Sequence, residues 1–414
     1  MLLTVGAAIG VQAWRRGRLI PALRHPVSLG LAVFVGLALV SALINAVPPQ
    51  VAAVGLAFTL DAAALFYLPR MAGFTLRQSL RAVVVILALV GVAAIGGLSQ
   101  WILAPDFLGL GAWQGSFGEG TRLTSIFTDP LIFGALLGGM IPFAALGVTS
   151  LRRPGLRLIS LVGMVVLFMP LFLSFSRGAW VGFMIGCLAL AIISWRTFAL
   201  TIGIGIISLM MTITLPRSLL VPPGPPSDTP APPQRSLLDS TLARLNEIWT
   251  GRDLRTRFIL NALPIIGDHP LLGVGPGRYG GAAADVFGTP VYEEYGTSAL
   301  LTDPQQLTVD NFWLHLLVES GLLGFAAYAG AALAALAPIV RLARHSRGTH
   351  RFLLGGIAAG SVALAADSIS TMLLEANSVA FVVWLLLGLG SLLVAAKAGE
   401  WFAAAAARET TPAA

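Results

Sequence analysis

Apolar residues fall in blocks of about 20, the length a helix needs to cross a bilayer, separated by short polar connections along nearly the whole chain. Reading those blocks predicts eleven helices, near residues 1–13, 27–45, 51–68, 82–103, 131–149, 158–175, 179–194, 198–215, 311–340, 352–373 and 378–396. The opening MLLTVGAAIGVQAWRRGR places its apolar stretch before its charges, the reverse of a signal peptide, and reads as a short or truncated first span.

The connections alternate in character. Every second one is arginine-rich: Arg15, Arg16, Arg18 and Arg24; then Arg70, Arg77 and Arg81; then Arg152, Arg153 and Arg157; then Arg196; then Arg341, Arg344, Arg347 and Arg351. The short connections between them carry only Arg122 and Arg177. By the positive-inside rule the arginine-rich set is cytoplasmic and the other set lies outside.

Composition changes the picture in two ways. With 56% apolar and 11% charged residues, against about 25% charged in ordinary soluble domains, water is not the main solvent. The expected fold is an all-α polytopic membrane protein, its length counting helices rather than domains. The charge of +7, in which Lys397 is the one lysine among 26 basic residues, would suggest nucleic-acid binding in a soluble protein; here it is topological, so no nucleic-acid partner is expected. A single cysteine, Cys187, excludes an intrachain disulfide and a cysteine-based zinc cluster.

The organisation predicted is an N-terminal bundle of about eight spans (1–215), a long periplasmic loop (216–310), C-terminal spans (311–397) and a cytoplasmic tail (398–414). The loop begins with eight prolines between Pro216 and Pro233, an extended linker. From Thr241 apolar residues recur at helical spacing, interrupted by Gly251 and Pro264, and LLGVGPGRYGG follows as a glycine-rich turn. A structureless loop of that length is uncommon unless functional, so the chemistry is expected here or at the membrane surface beneath it.

Several residues stand out. Arg177, between Ser176 and Gly178 on the arginine-poor side, is either a snorkelling interfacial side chain or a bidentate phosphate ligand. Arg252, Arg255 and Arg257, with Arg244, outnumber Glu247 and Asp253 locally; Arg257 abuts the apolar run from Phe258 and is expected to turn inward. Arg278 is displayed on the glycine turn, which lacks the strand and helix a dinucleotide fingerprint requires. Asn311, His315 and Glu319 recur at i, i+4, i+8, a polar stripe that must face protein or water. Asp310, just before that helix, is expected as its N-cap. Asp61 and Asp367 lie within predicted spans, as packing groups or part of a transport path.

Taken in order, SFSRG at 174–178, Arg257 opening a helix in the outer loop, HPLLGVGPGRYG at 269–280 and DNFWLHLLVESGLLG at 310–324 resemble the O-antigen ligase and polysaccharide polymerase superfamily, over about residues 120–390. The resemblance implies a membrane glycosyltransferase that uses a polyprenyl-diphosphate-linked glycan donor and a glycan or lipid acceptor, without nucleotide sugar, cofactor or metal. It implies Arg177 and Arg257 as donor-diphosphate contacts, with Arg255 and Arg278 beside them and Asn311 and Glu319 as acceptor-side or stripe residues. Where O-antigen ligases carry a histidine proposed to activate the acceptor hydroxyl, this chain has Asp310.

Aspartate is the weaker base, at about 3.9 against about 6.5 for histidine. Asp310 then accepts a proton late in the reaction, or orients the acceptor while His315 supplies the base. The missing histidine favours a polymerase of O-antigen or exopolysaccharide over a ligase acting on lipid A core or protein. A secondary transporter using Asp61 and Asp367 is the alternative of another class.

Overall fold

The computed structural model describes residues 10–103, 113–114, 121–127, 129–214, 246, 254–300 and 308–409. Residues 1–9, the proline-rich linker, Arg244, Glu247, Arg252 and Asp253 lie outside them. The longer helices are numbered α1 Pro26–Ile44, α2 Pro49–Leu60, α3 Leu76–Ile102, α4 Pro130–Ser150, α5 Pro154–Leu173, α6 Arg177–Ile193 and α7 Trp195–Thr214. They continue with α8 Leu254–Asp268, α9 Ala282–Phe287, α10 Pro290–Glu294, α11 Phe312–His345, α12 Gly348–Asp367 and α13 Asn377–Glu409. The fold is the expected all-α polytopic membrane type; among the described residues, strand pairing is limited to Trp113–Gln114 with Thr121–Arg122.

Eight helical segments of the described chain are long and apolar enough to cross a membrane. Helix α6, at 17 residues, is shorter, and α12 is enclosed by the others, buried on most of its faces. Starts follow the local sequence. Proline sits at the first turn of α1, α2, α4 and α5, where its missing N–H costs nothing, and Thr75 with Gln78 forms a capping box on α3. The predicted span 51–68 is broken: α2 ends at Asp61, a 3₁₀ segment runs Ala62–Phe66, and a short helix follows at Leu68–Ala72. Helix α13 continues past its predicted end, to Glu409.

Glycine lets α12 serve as the hub. A Cβ on Gly182 would lie 2.6 Å from the Ala363 carbonyl oxygen, one on Gly186 2.8 Å from Ala363 Cβ, and one on Gly360 2.4 Å from the Gly139 carbonyl oxygen. Close backbone approach of this kind replaces the hydrophobic driving force that lipid does not supply between helices.

The arginine-rich connections gather at one end of the bundle. Arg18 Nη1 donates to the Ala72 carbonyl, Thr149 and Thr197 hydroxyls pair at 2.8 Å, and Arg77, Arg152, Arg153 and Arg347 line one cavity. The loop helices α8 to α10 cover the other end. They have a small core of their own, including Phe258, Ala262, Ile265, Tyr279, Tyr292 and Val318.

Candidate functional site

The loop is fastened to a break in α11. Gly321 has φ 62°, ψ −174° inside the helix, and a kink there frees backbone groups that cannot stay unpaired at membrane depth. Segment 270–275 supplies the partners. Val274 and Gly275 N–H groups donate to the Val318 and Glu319 carbonyls, at 3.0 Å each. On the other side of the kink, Leu322 and Leu323 N–H groups donate to the Pro270 and Leu271 carbonyls at 2.9 and 3.2 Å. The Gly273 carbonyl accepts from Ser41 and Asn45 of the α1 end. The glycine-rich segment is thus a backbone plug, and positive φ at Gly273, Gly275 and Gly277 allows the close approach it needs.

The polar stripe of α11 meets this plug. Glu319 accepts from the Gly277 and Tyr279 N–H groups, both at 2.8 Å. His315, 2% exposed, places Nδ1 against the Tyr279 carbonyl and Nε2 2.9 Å from Glu375 Oε1. Both ring nitrogens therefore face acceptors, the pattern of an imidazolium paired with a carboxylate. Glu375 also accepts from the Ala282 N–H at 3.1 Å. Burial pushes the Glu375 carboxyl up, but His315 and the hydrogen bonds outweigh it and hold the group below its usual range. His315 is thus clamped in the interior between two carboxylates.

Beside this clamp lies a more open cluster. Arg255 Nη2 donates to Asp310 Oδ2 at 3.1 Å, with side chains 40% and 42% exposed. Arg177 is the first residue of α6, and its neighbour Gly178 lies so close to α12 that a Cβ would be 2.5 Å from Asp367 Oδ1. Arg122, 7% exposed, donates from Nε to the Ser174 carbonyl at 2.9 Å. Asp129 caps α4 through the Leu131 N–H at 2.7 Å. Its carboxyl is raised by burial, opposed by that hydrogen bond and by Arg122 and raised further by Asp310. The Phe312 N–H donates to the Ser368 carbonyl and Trp313 Nε1 to the Ala365 carbonyl, tying the start of α11 to the end of α12. Three polar atoms of this cluster are buried without hydrogen-bond partners among the described residues: Arg255 Nε, Ser176 Oγ and Asp367 Oδ2. Orphans of this sort call for an explanation, and a polar ligand is one. Phe175, between Ser174 and Ser176, has φ 51°, a conformation that costs a non-glycine residue about 1–2 kcal/mol and that shapes the turn presenting Arg177.

The structure alters several expectations. Asn311, not Asp310, caps α11, its Oδ1 accepting from the Leu314 N–H at 3.0 Å; Asp310 is left to pair with Arg255. Arg257 is exposed rather than inward. The buried face of α8 runs through Phe258, Ala262 and Ile265, and one residue back along a helix is a rotation of about 100°, whereas Arg255, three back from Phe258, shares that face. Arg278 Nη1 donates to the Asn45 carbonyl at the α1 C-terminus, a fastening contact. Asp367 stands at the end of α12, whereas Asp61 sits within the candidate span Pro49–Ala72, at the break where α2 gives way to the 3₁₀ segment. Sequence reasoning missed Glu375 and Asp129. The signals were a lone acid in an arginine-poor connection and an Asp-Pro pair opening an apolar run.

A family model described as O-antigen ligase matches residues 162–329. That stretch contains Arg177, Arg255, Arg257, the plug and Asp310 through Glu319, and the match supports an O-antigen ligase or polymerase type of membrane enzyme. Comparison with curated proteins gives no match.

Proposed function

We propose that this chain transfers glycan from a polyprenyl-diphosphate carrier at the outer face of the inner membrane, acting as a polymerase of O-antigen or exopolysaccharide repeat units. The observation that carries the reading is the cluster in which the Arg255–Asp310 pair stands by Asp367 and the Arg177 end of α6. Guanidinium groups with orphaned polar neighbours, at the bundle end opposite the arginine-rich turns, suit a lipid-borne diphosphate at headgroup depth.

In this reading Arg177 and Arg255 grip the donor diphosphate, with Arg257 on the exposed face reaching the donor from outside. The acceptor hydroxyl oxygen attacks the anomeric carbon from the face opposite the carrier. The anomeric carbon–oxygen bond breaks, its electron pair passes to the diphosphate, and the arginines stabilise that developing charge. The hydroxyl proton goes to Asp310. A diphosphate that competes for Arg255 releases the Asp310 carboxylate, so donor binding readies the base. One displacement inverts the anomeric configuration, and no covalent enzyme intermediate is required. His315 and Glu375 act as positioning residues that fix the start of α11, and with it Asp310.

The test is transfer by purified protein in vesicles, with a polyprenyl-diphosphate glycan as donor and either a second lipid-linked repeat or lipid A core as acceptor. Elongated chains on the carrier support a polymerase, and product on lipid A core identifies a ligase. Transfer that is unchanged in both Arg177→Ala and Arg255→Ala removes the proposed site.

A further inference from the structure

At the bundle end opposite this cluster lies a cavity of about 630 Å³ walled by residues from three connections far apart in sequence. Arg77 comes from the first turn of α3, Arg152 and Arg153 from the turn before α5, and Arg347 from the turn before α12. No carboxylate is among its lining residues. Among the described residues no ion pair neutralises these four guanidiniums. Their neighbours Arg157 and Arg351 are spent on the Leu151 and Ser346 carbonyls, which shape the two turns.

The backbone adds to the same field. Residues Arg153 and Arg347 occupy the N-cap positions of α5 and α12 and give no side-chain cap, where serine, threonine or aspartate is the usual choice. Neither first turn contains an acid. The first-turn N–H groups and the positive ends of the helix dipoles therefore reinforce the guanidiniums. Topological signalling alone requires arginines near the membrane; it does not require them to converge from three connections on one hollow. Beside Thr349 and His350 the remaining side chains of the wall are leucine, Leu76, Leu80, Leu151 and Leu156, with Leu76 and Leu156 41% and 43% exposed, and a free phosphate would have no use for that apolar surface.

We propose that this cavity binds the phosphate headgroup of an anionic glycerophospholipid of the inner leaflet, with its glycerol and acyl chains against Leu76, Leu80 and Leu156. Basic pockets between spans at the cytoplasmic interface are where such headgroups are held. The site is separate from glycan transfer and stands or falls independently of that reading.

The experiment uses the full-length protein in detergent, with lipid adducts read by native mass spectrometry and stability by thermal shift, titrated with phosphatidylglycerol, phosphatidylcholine or inorganic phosphate. Phosphatidylglycerol is expected to bind at least about tenfold more tightly than phosphatidylcholine, from the charge-assisted contacts. The triple variant R77Q/R153Q/R347Q is expected to lose that preference. The triple variant R152K/R153K/R347K retains the topological charge but not bidentate geometry, and is expected to bind more weakly than wild type. A charge-matched control outside the cavity, R24Q/R341Q/R344Q, is expected to bind as wild type. Equal affinity for the two lipids, full binding by the cavity variants, or equal loss in the control overturns the proposal. Stabilisation by inorganic phosphate matching that by phosphatidylglycerol reassigns the cavity to the free ion and overturns the lipid.

Discussion

Arg255 Nη2 reaches Asp310 Oδ2 at 3.1 Å, so a loop helix and the residue that precedes the α11 cap are joined by one charged contact. With side chains 40% and 42% exposed, such a pair contributes only about 0–1 kcal/mol to stability. In the proposed reaction its value lies in what the two groups do when they separate. Asp310→Asn keeps hydrogen bonding and removes basicity, so transfer is expected to fall by about 10²-fold or more while the melting temperature holds. Wild-type turnover in Asp310→Asn would show that the proton goes elsewhere. Asp310→His is the complementary swap, expected to retain transfer and to move its pH dependence toward the histidine range.

Arg177→Ala and Arg255→Ala are each expected to lower transfer by about 10²- to 10³-fold, the scale for removing one donor to developing charge, with membrane insertion intact. Arg257→Ala is expected to lose less, since its side chain stands on the exposed face of α8. Measuring all three rates under one saturating donor concentration ranks them. An Arg257 variant more damaged than the Arg255 variant would reverse the assignment made from the helix face.

The clamp of His315 between Glu375 and Glu319 predicts a different signature. His315→Ala leaves two buried carboxylates without their partner and is expected to destabilise the protein by about 3–5 kcal/mol, read as a large drop in melting temperature. Glu375 titrates below its usual value in the folded protein. Its contribution is therefore fully present above the unfolded carboxylate value and is lost as pH falls through the lowered folded one. Thermal stability scanned downward from neutral pH should decline for wild type and be flatter for Glu375→Gln. Parallel curves would show that this pair does not govern acid lability.

Gly321 marks the break that receives the plug, and a Cβ there would lie 2.4 Å from the Leu271 carbonyl group. Gly321→Ala is expected to straighten α11 and detach segment 270–281. Amide exchange in that segment should rise by at least about tenfold, the change set by about 1.4 kcal/mol, with α4 and α12 unaffected. Glu319→Ala tests the same joint from the side-chain end, because it strips two buried N–H groups of their acceptor. Unchanged exchange in both variants would mean that the plug holds by other contacts.

The chain's own pattern determined the membrane class, the positions of most spans and the grouping of arginine-rich turns at one end, because lipid imposes length and charge asymmetry on each span locally. The motifs around Arg177, the glycine-rich segment and Asp310 were likewise legible as a set, though not their partners. Which arginine of Arg255 and Arg257 turns inward depended on where Phe258 found its core. That Asn311 caps α11 and frees Asp310 depended on the path of the chain from Val309. The joining of Glu375 to His315, 60 residues away, and of the glycine plug to the Gly321 break arose only when separate helices packed. These contacts satisfy buried charges and backbone groups between segments distant in the chain, and no local periodicity encodes them.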